Sequence, residues 1–168
     1  MAVKFASASI GSVVFFLIAP AVVAGLIPWL VTHWEMRGAA TPIRALGVML
    51  IGAGLGVLLH SFLRFVVEGL GTPAPVAPTE HLVVGGMYRY VRNPMYLAVV
   101  ALVVGQAILL GHPRLLVYGL VVGLAMVAFA RWYEEPALGR QFGEQYEEYR
   151  RNVPGWWPRL SPWEPGDQ

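Results

Sequence analysis

Apolar stretches at residues 7–31, 43–67, 94–110 and 115–133 decide what this 168-residue chain can become. A helix needs about 20 mostly apolar residues to cross a bilayer, and each block meets or approaches that length. The rest of the composition agrees: 13% of residues are charged, against roughly 25% in soluble domains. The reading is an all-α integral membrane bundle of about four transmembrane helices in a single domain. The first block carries Pro20 and Pro28 and is expected to bend there. It follows Lys4, is too long for a signal-peptide core and lacks a clear cleavage site, so it reads as the first span. "GHPR" (Gly111 to Arg114) ends the third block with a tight turn, so spans three and four are expected to form an antiparallel hairpin.

Orientation follows from the positive charges. The N-terminus, the 64–92 loop and the tail hold Lys4, Arg64, Arg89, Arg92, Arg131, Arg140, Arg150, Arg151 and Arg159; the opposite side holds Arg37, Arg44 and Arg114. The richer side, with both termini, is expected to be cytoplasmic. Two segments there are not lipid-like. "EGLGTPAPVAPTE" (68–80) carries Pro73, Pro75 and Pro78, which bar a regular helix. Residues 136–151 space Leu138, Phe142, Tyr146 and Tyr149 three or four apart, the pattern of an amphipathic helix on the membrane or under the bundle. Trp156, Trp157 and Trp163 then suit an interface.

The absence of cysteine excludes disulfides and thiolate chemistry. His33, His60, His81 and His112 never fall at i, i+4, which argues against a metal site, and His60 reads as a polar contact in the bundle. No basic run with interleaved aromatics points to nucleic acid. "GAGLG" lies inside span two without a preceding strand, so Gly52 and Gly56, like Gly119 and Gly123, read as GxxxG helix-packing pairs.

Two stretches carry the chemistry. In "YRYVRNPMY" (88–96), Asn93-Pro94 starts a helix, with Asn as the cap and Pro at the first helical position. The unpaired N–H groups of such a first turn favour an anion. Arg89 and Arg92 can add charge, and Tyr88 and Tyr96 aromatic surface. The plainer alternative is a topology signal with an aromatic belt, which leaves the cap-proline pair and the Gly85-Gly86 turn unexplained. In "RWYEEPAL" (131–138), Arg131, Glu134, Glu135 and Leu138 fall on one helical face. They read either as an intrahelical ion pair or as a carboxylate for ribose hydroxyls or a cation, with an arginine for an anionic group. An antiparallel hairpin brings the two stretches together.

"HLVVGGMYRYVRNPMY", a hydrophobic hairpin and "RWYEEPALGRQFGEQYEEYRRNVPGWWP" together resemble the integral membrane methyltransferases, among them isoprenylcysteine carboxyl methyltransferase and the phospholipid N-methyltransferases. The resemblance covers about 80–158 as a cofactor-binding core and leaves the two N-terminal spans (1–67) without a motif. It implies S-adenosylmethionine as cofactor, S-adenosylhomocysteine as product and a bacterial-type enzyme of the inner membrane. Around the cofactor it implies Leu82, Val83, Tyr88, Asn93, Pro94, Met95, Tyr96 and Glu135, and near the substrate Arg131. Arg92 joins the cofactor set through its charge. The chain departs from the family pattern twice: Glu80 stands at the histidine of the HxLV element, with His81 next to it in the cofactor set, and Asn93 stands at the histidine of RHP.

Those residues suit that cofactor. Its carboxylate matches the helix start and Arg92, its ribose Glu135, and its sulfonium an aromatic face. The acceptor is expected to be lipophilic and to enter from the bilayer. A carboxylate acceptor needs no general base; an amine or thiol needs one, for which Glu134 and Glu80 are the candidates. Carboxyl O-methylation of an isoprenylcysteine-like molecule is preferred because Arg131 favours an anionic group. The alternatives are a phospholipid N- or thiol S-methyltransferase, an NADPH-dependent membrane reductase, and a non-catalytic lipid-binding protein. The oligomeric state is left open.

Overall fold

The computed structural model describes residues 18–38, 40–69 and 81–164. Among the described residues every regular element is helical. The first, α1, runs Ile18–Thr32; α2 follows as Thr41–Gly69, α3 as Pro94–Leu110 and α4 as Pro113–Phe129. The proline-rich segment, Glu80 and the first part of the expected first span lie outside the described residues. The stretches Thr41–Arg64 and Pro113–Phe142 are long and apolar enough to cross a membrane, while α1 and α3 are shorter apolar helices. Leu46, Val48, Met49, Leu55, Leu59 and Leu63 of α2 and Leu116, Val117, Leu120, Val121 and Leu124 of α4 are exposed, an apolar surface far larger than a water-soluble protein leaves open.

Helix α3 is the centre of the bundle. Pro94 starts it at the first helical position and Gly111, at φ 70°, ends it in the left-handed conformation. A Cβ at Gly47 of α2 would lie 2.7 Å from Leu109 N, and one at Gly54 would lie 3.0 Å from Ala98 O. The two helices therefore run antiparallel with backbones close together, and Gly105 completes the approach, since a Cβ there would lie 3.0 Å from Gly47 O. On the other side of α3, a Cβ on Gly119 or Gly123 of α4 would stand 3.3–3.6 Å from the side chains of Val103, Val104 and Val100. The GxxxG expectation holds for that pair. It fails for Gly52 and Gly56, which face open space. Spacing identified a small-residue helix correctly but missed the phase: the face seven residues apart through Gly47 and Gly54 is the one that packs. His60 is exposed on α2, its Nε2 2.6 Å from where a Cβ on Gly86 would stand; that turn has φ +58°.

Helix α1 carries a π turn, Val22–Leu26. Two side chains from other helices meet its carbonyls: Gln106 Nε2 of α3 donates to Ala24 O at 2.7 Å and Tyr118 Oη of α4 to Val23 O at 2.9 Å. Gln106→Leu should cost about 1 kcal/mol, since the side-chain hydrogen bond to Ala24 O between the two helices would be lost. Thermal unfolding in detergent checks this; an unchanged Tm would mean that α1 is held by packing alone. At the C-terminal end of α3, buried His112 donates from Nε2 to Glu35 O at 2.9 Å and Arg37 N donates to Leu110 O at 2.8 Å.

Helix α4 passes through a second π turn, Ala130–Glu134, into α5, Glu135–Phe142. Gly143, at φ 52°, separates α5 from α6, Glu144–Asn152. The expected single helix over 136–151 is thus two, because the left-handed backbone at Gly143 turns the chain. Tyr146 and Tyr149 still face inward, forming a small core with Val153 and Trp163. Trp163 corrects the interfacial expectation for the tail tryptophans: it is buried, whereas Trp157 is exposed.

Candidate functional site

The site forms where the start of α3 meets the end of α4. Tyr96, in the first turn of α3, donates its hydroxyl to Glu134 Oε1 at 2.6 Å. Arg92, just before α3, places Nη1 3.1 Å from Glu135 Oε1. Their side chains are 13% and 14% exposed, so the pair is strongly desolvated and its geometry matters. Arg92 Nη1 also donates to Tyr146 Oη at 3.0 Å, and Arg150 Nη2 stands 3.6 Å from Glu135 Oε2. Glu135 therefore sits between Arg92 and Arg150, and the intrahelical pairing with Arg131 considered above is replaced by pairing across the hairpin. The π turn sends the consecutive Glu134 and Glu135 to two different partners on the same strand of chain.

The tail fixes the approach to α3. Arg92 N donates to Pro154 O at 2.9 Å, Arg159 N to Tyr90 O and Trp163 N to Arg89 O, each at 3.0 Å. Arg89 adds Nε to Trp163 O at 2.9 Å and an ion pair with Glu164. Asn93 holds the N-cap position, but its side chain does not cap α3. Its Nδ2 donates instead to Gly155 O in the tail, at 3.1 Å. A Cβ on Gly155 would meet Arg92 Nη2 at 3.2 Å, so the close passage of the tail suits glycine. Trp156 stacks on Tyr96, with ring centroids 6.3 Å apart and 15° between planes.

The other predicted residues divide between two small cores. Val83, Tyr88 and Met95 cluster together against Leu58 of α2. Leu82 packs with Val84 on the Tyr146–Trp163 core. Tyr149 Oη ties the two, donating to Tyr88 O at 2.7 Å; burial pushes the phenols of both Tyr149 and Tyr146 above their ordinary pKa, so they stay neutral. Pro94 is fully buried and His81 is exposed. Arg131 is exposed beside Trp132 and lines a cleft of about 280 Å³ with Glu135, Gly139, Glu147 and Arg150. Tyr146, Gly155 and Trp156 were not expected in the site. The inward spacing of Tyr146 was legible, but only the folded tail brings Gly155 and Trp156 to Asn93 and Tyr96.

A first turn of α3 without a side-chain cap, an arginine whose buried Nε has no partner and an adjacent carboxylate form a set that can receive an anion and bind hydroxyls. A family model described as phospholipid methyltransferase matches residues 42–145, from the start of α2 through the hairpin into α6. Among curated proteins, the chain is similar to protein-S-isoprenylcysteine O-methyltransferase B of Arabidopsis thaliana, with 29% identity over 129 residues. That alignment covers 76% of this chain and 61% of the relative, so the chain spans less than two thirds of the relative's length. With a match over more than half its length, including Arg92, Tyr96, Glu134 and Glu135, this chain belongs to the phospholipid methyltransferase family.

Proposed function

We propose that the chain is a membrane methyltransferase that uses S-adenosylmethionine and acts on a lipophilic acceptor. The observation that carries this reading is the double clasp: Tyr96 to Glu134 and Arg92 to Glu135 across one helical hairpin. The residues present fit the cofactor, since Arg92 keeps a buried, unpartnered Nε and α3 starts without a side-chain cap. Arg92 and the first-turn N–H groups of α3 then bind its carboxylate, Glu135 its ribose hydroxyls, and the stacked Tyr96 and Trp156 offer an aromatic face. Leu82, Val83, Tyr88, Asn93, Pro94 and Met95 form the surrounding wall, with His81 at its edge.

S-adenosylmethionine supplies a methyl group on a positively charged sulfur. The protein's task is to align the acceptor and exclude water. Arg131 and Arg150, both on the cleft, suit an acceptor carboxylate, which favours carboxyl O-methylation of an isoprenylcysteine-like molecule. A second reading, N-methylation of a phospholipid amine, is favoured by Glu134, whose partly buried carboxylate is positioned by Tyr96 to take the amine proton. In either case four spans with cytoplasmic termini in a bacterial inner membrane put the cleft on the cytoplasmic side.

Calorimetry on the purified chain tests the class: S-adenosylhomocysteine should bind, whereas NADPH binding would indicate a reductase and binding of neither a non-catalytic protein. Radiolabelled methyl donor supplied with an isoprenylcysteine or with phosphatidylethanolamine should label the first in the organic extract. Label in the amine lipid alone would select the second reading.

A further inference from the structure

Ser61 of α2 is fully buried, and its Oγ has no hydrogen-bond partner. A serine within a helix usually bonds the carbonyl four residues back when nothing else is near, so a buried hydroxyl left without a partner is an anomaly that asks for a ligand. Its position gives the ligand's address. Gly47 meets Gly105 and Leu109, and Gly54 meets Ala98 and Leu102. Ser61 continues that seven-residue series on the same face, which sets it opposite the start of α3. Leu58, one turn back, packs on the cluster of Val83, Tyr88 and Met95. Ser61 therefore stands by the uncapped first turn of α3, and no motif marks it.

We propose that the Ser61 hydroxyl is a further cofactor-binding group, donating a hydrogen bond to the carboxylate held at the first turn of α3; this rests on the methyltransferase reading above. The pocket then has walls from three helices. Span α2 contributes a donor to the site as well as packing α3, and the first turn of α3 adds the N–H groups of Met95 and Tyr96, since Pro94 has none and Leu97 N is bonded to Asn93 O. The unpartnered hydroxyl is the cost of a preformed site, relieved when the anion arrives.

The sign of two measurements on Ser61→Ala tests this. In the ligand-free protein, removing an unsatisfied buried hydroxyl should leave Tm unchanged or raise it by a few degrees. The same change should weaken S-adenosylhomocysteine binding about 10-fold, the size of one hydrogen bond to a charged group. Leu59→Ala, on the exposed side of the same turn, should leave affinity unaltered. Unchanged affinity in Ser61→Ala, with the parent chain binding normally, overturns the assignment and leaves the methyltransferase reading intact. Weaker binding with a lowered Tm makes Ser61 a packing residue and overturns it too. Failure of the parent chain to bind removes the methyltransferase reading and this assignment with it.

Discussion

Glu135→Ala should lower the stability of the folded chain by about 3–5 kcal/mol, the loss typical when one partner of a buried ion pair is removed, and abolish S-adenosylhomocysteine binding. The cause is Arg92, whose side chain is as buried as that of Glu135 and would keep Tyr146 Oη as its remaining side-chain contact on Nη1. Glu135→Gln should be milder, because the amide oxygen can still accept from Arg92 at the same volume. Arg92→Lys should fall between, since an ammonium keeps the charge but loses the reach and fixed planar geometry that bring Nη1 to both Glu135 and Tyr146. Chemical denaturation and calorimetry on the three variants check the order. Equal losses in Glu135→Gln and Glu135→Ala would show that charge, and not shape, holds the clasp. Wild-type affinity in Glu135→Ala would remove this carboxylate from the cofactor site.

Gly47→Ala should cost about 3 kcal/mol or more, and Gly47→Leu should prevent the bundle from forming. The added Cβ meets Leu109 N at 2.7 Å, Gly105 O at 2.8 Å and Leu109 Cα at 2.9 Å. All three are backbone atoms, so no side chain can rotate away and α2 and α3 must separate. Gly52→Ala and Gly56→Ala sit on the same helix with open space at the new Cβ, and alanine is the better helix former by about 1 kcal/mol. These two should be neutral or stabilising. Unfolding curves for the single variants decide it; similar losses at positions 47 and 52 would mean that the α2–α3 contact is not the one described here.

That contrast shows where the sequence was informative. The apolar blocks announced the helices because an unpaired backbone in lipid has no alternative, and α3 begins and ends at Pro94 and Leu110 as the proline and the glycine turn require. Which glycines touch was not legible, because GxxxG records a spacing that several faces of one helix satisfy. Gly47 and Gly54 act through their phase relative to α3, a property of two helices together. Likewise the single helix expected over 136–151 ignored Gly143, whose left-handed backbone becomes necessary only when α6 folds back to bury Tyr146 and Tyr149.

At the site, the sequence by itself determined the chemical types and their order: an arginine before a proline-started helix, a hairpin, then two glutamates. Antiparallel pairing of two apolar arms follows from a short turn, so the meeting of 92–96 with 134–135 was already implicit. The tertiary structure alone decided the pairing within that meeting. A π turn at Ala130–Glu134 sends Glu134 to Tyr96 and Glu135 to Arg92, the tail carbonyl of Gly155 takes Asn93 away from its helix cap, and the packing of α2 brings Ser61 to the start of α3. Each depends on where a donor and an acceptor distant in the chain come to lie, and that is set by the depth at which whole helices pack.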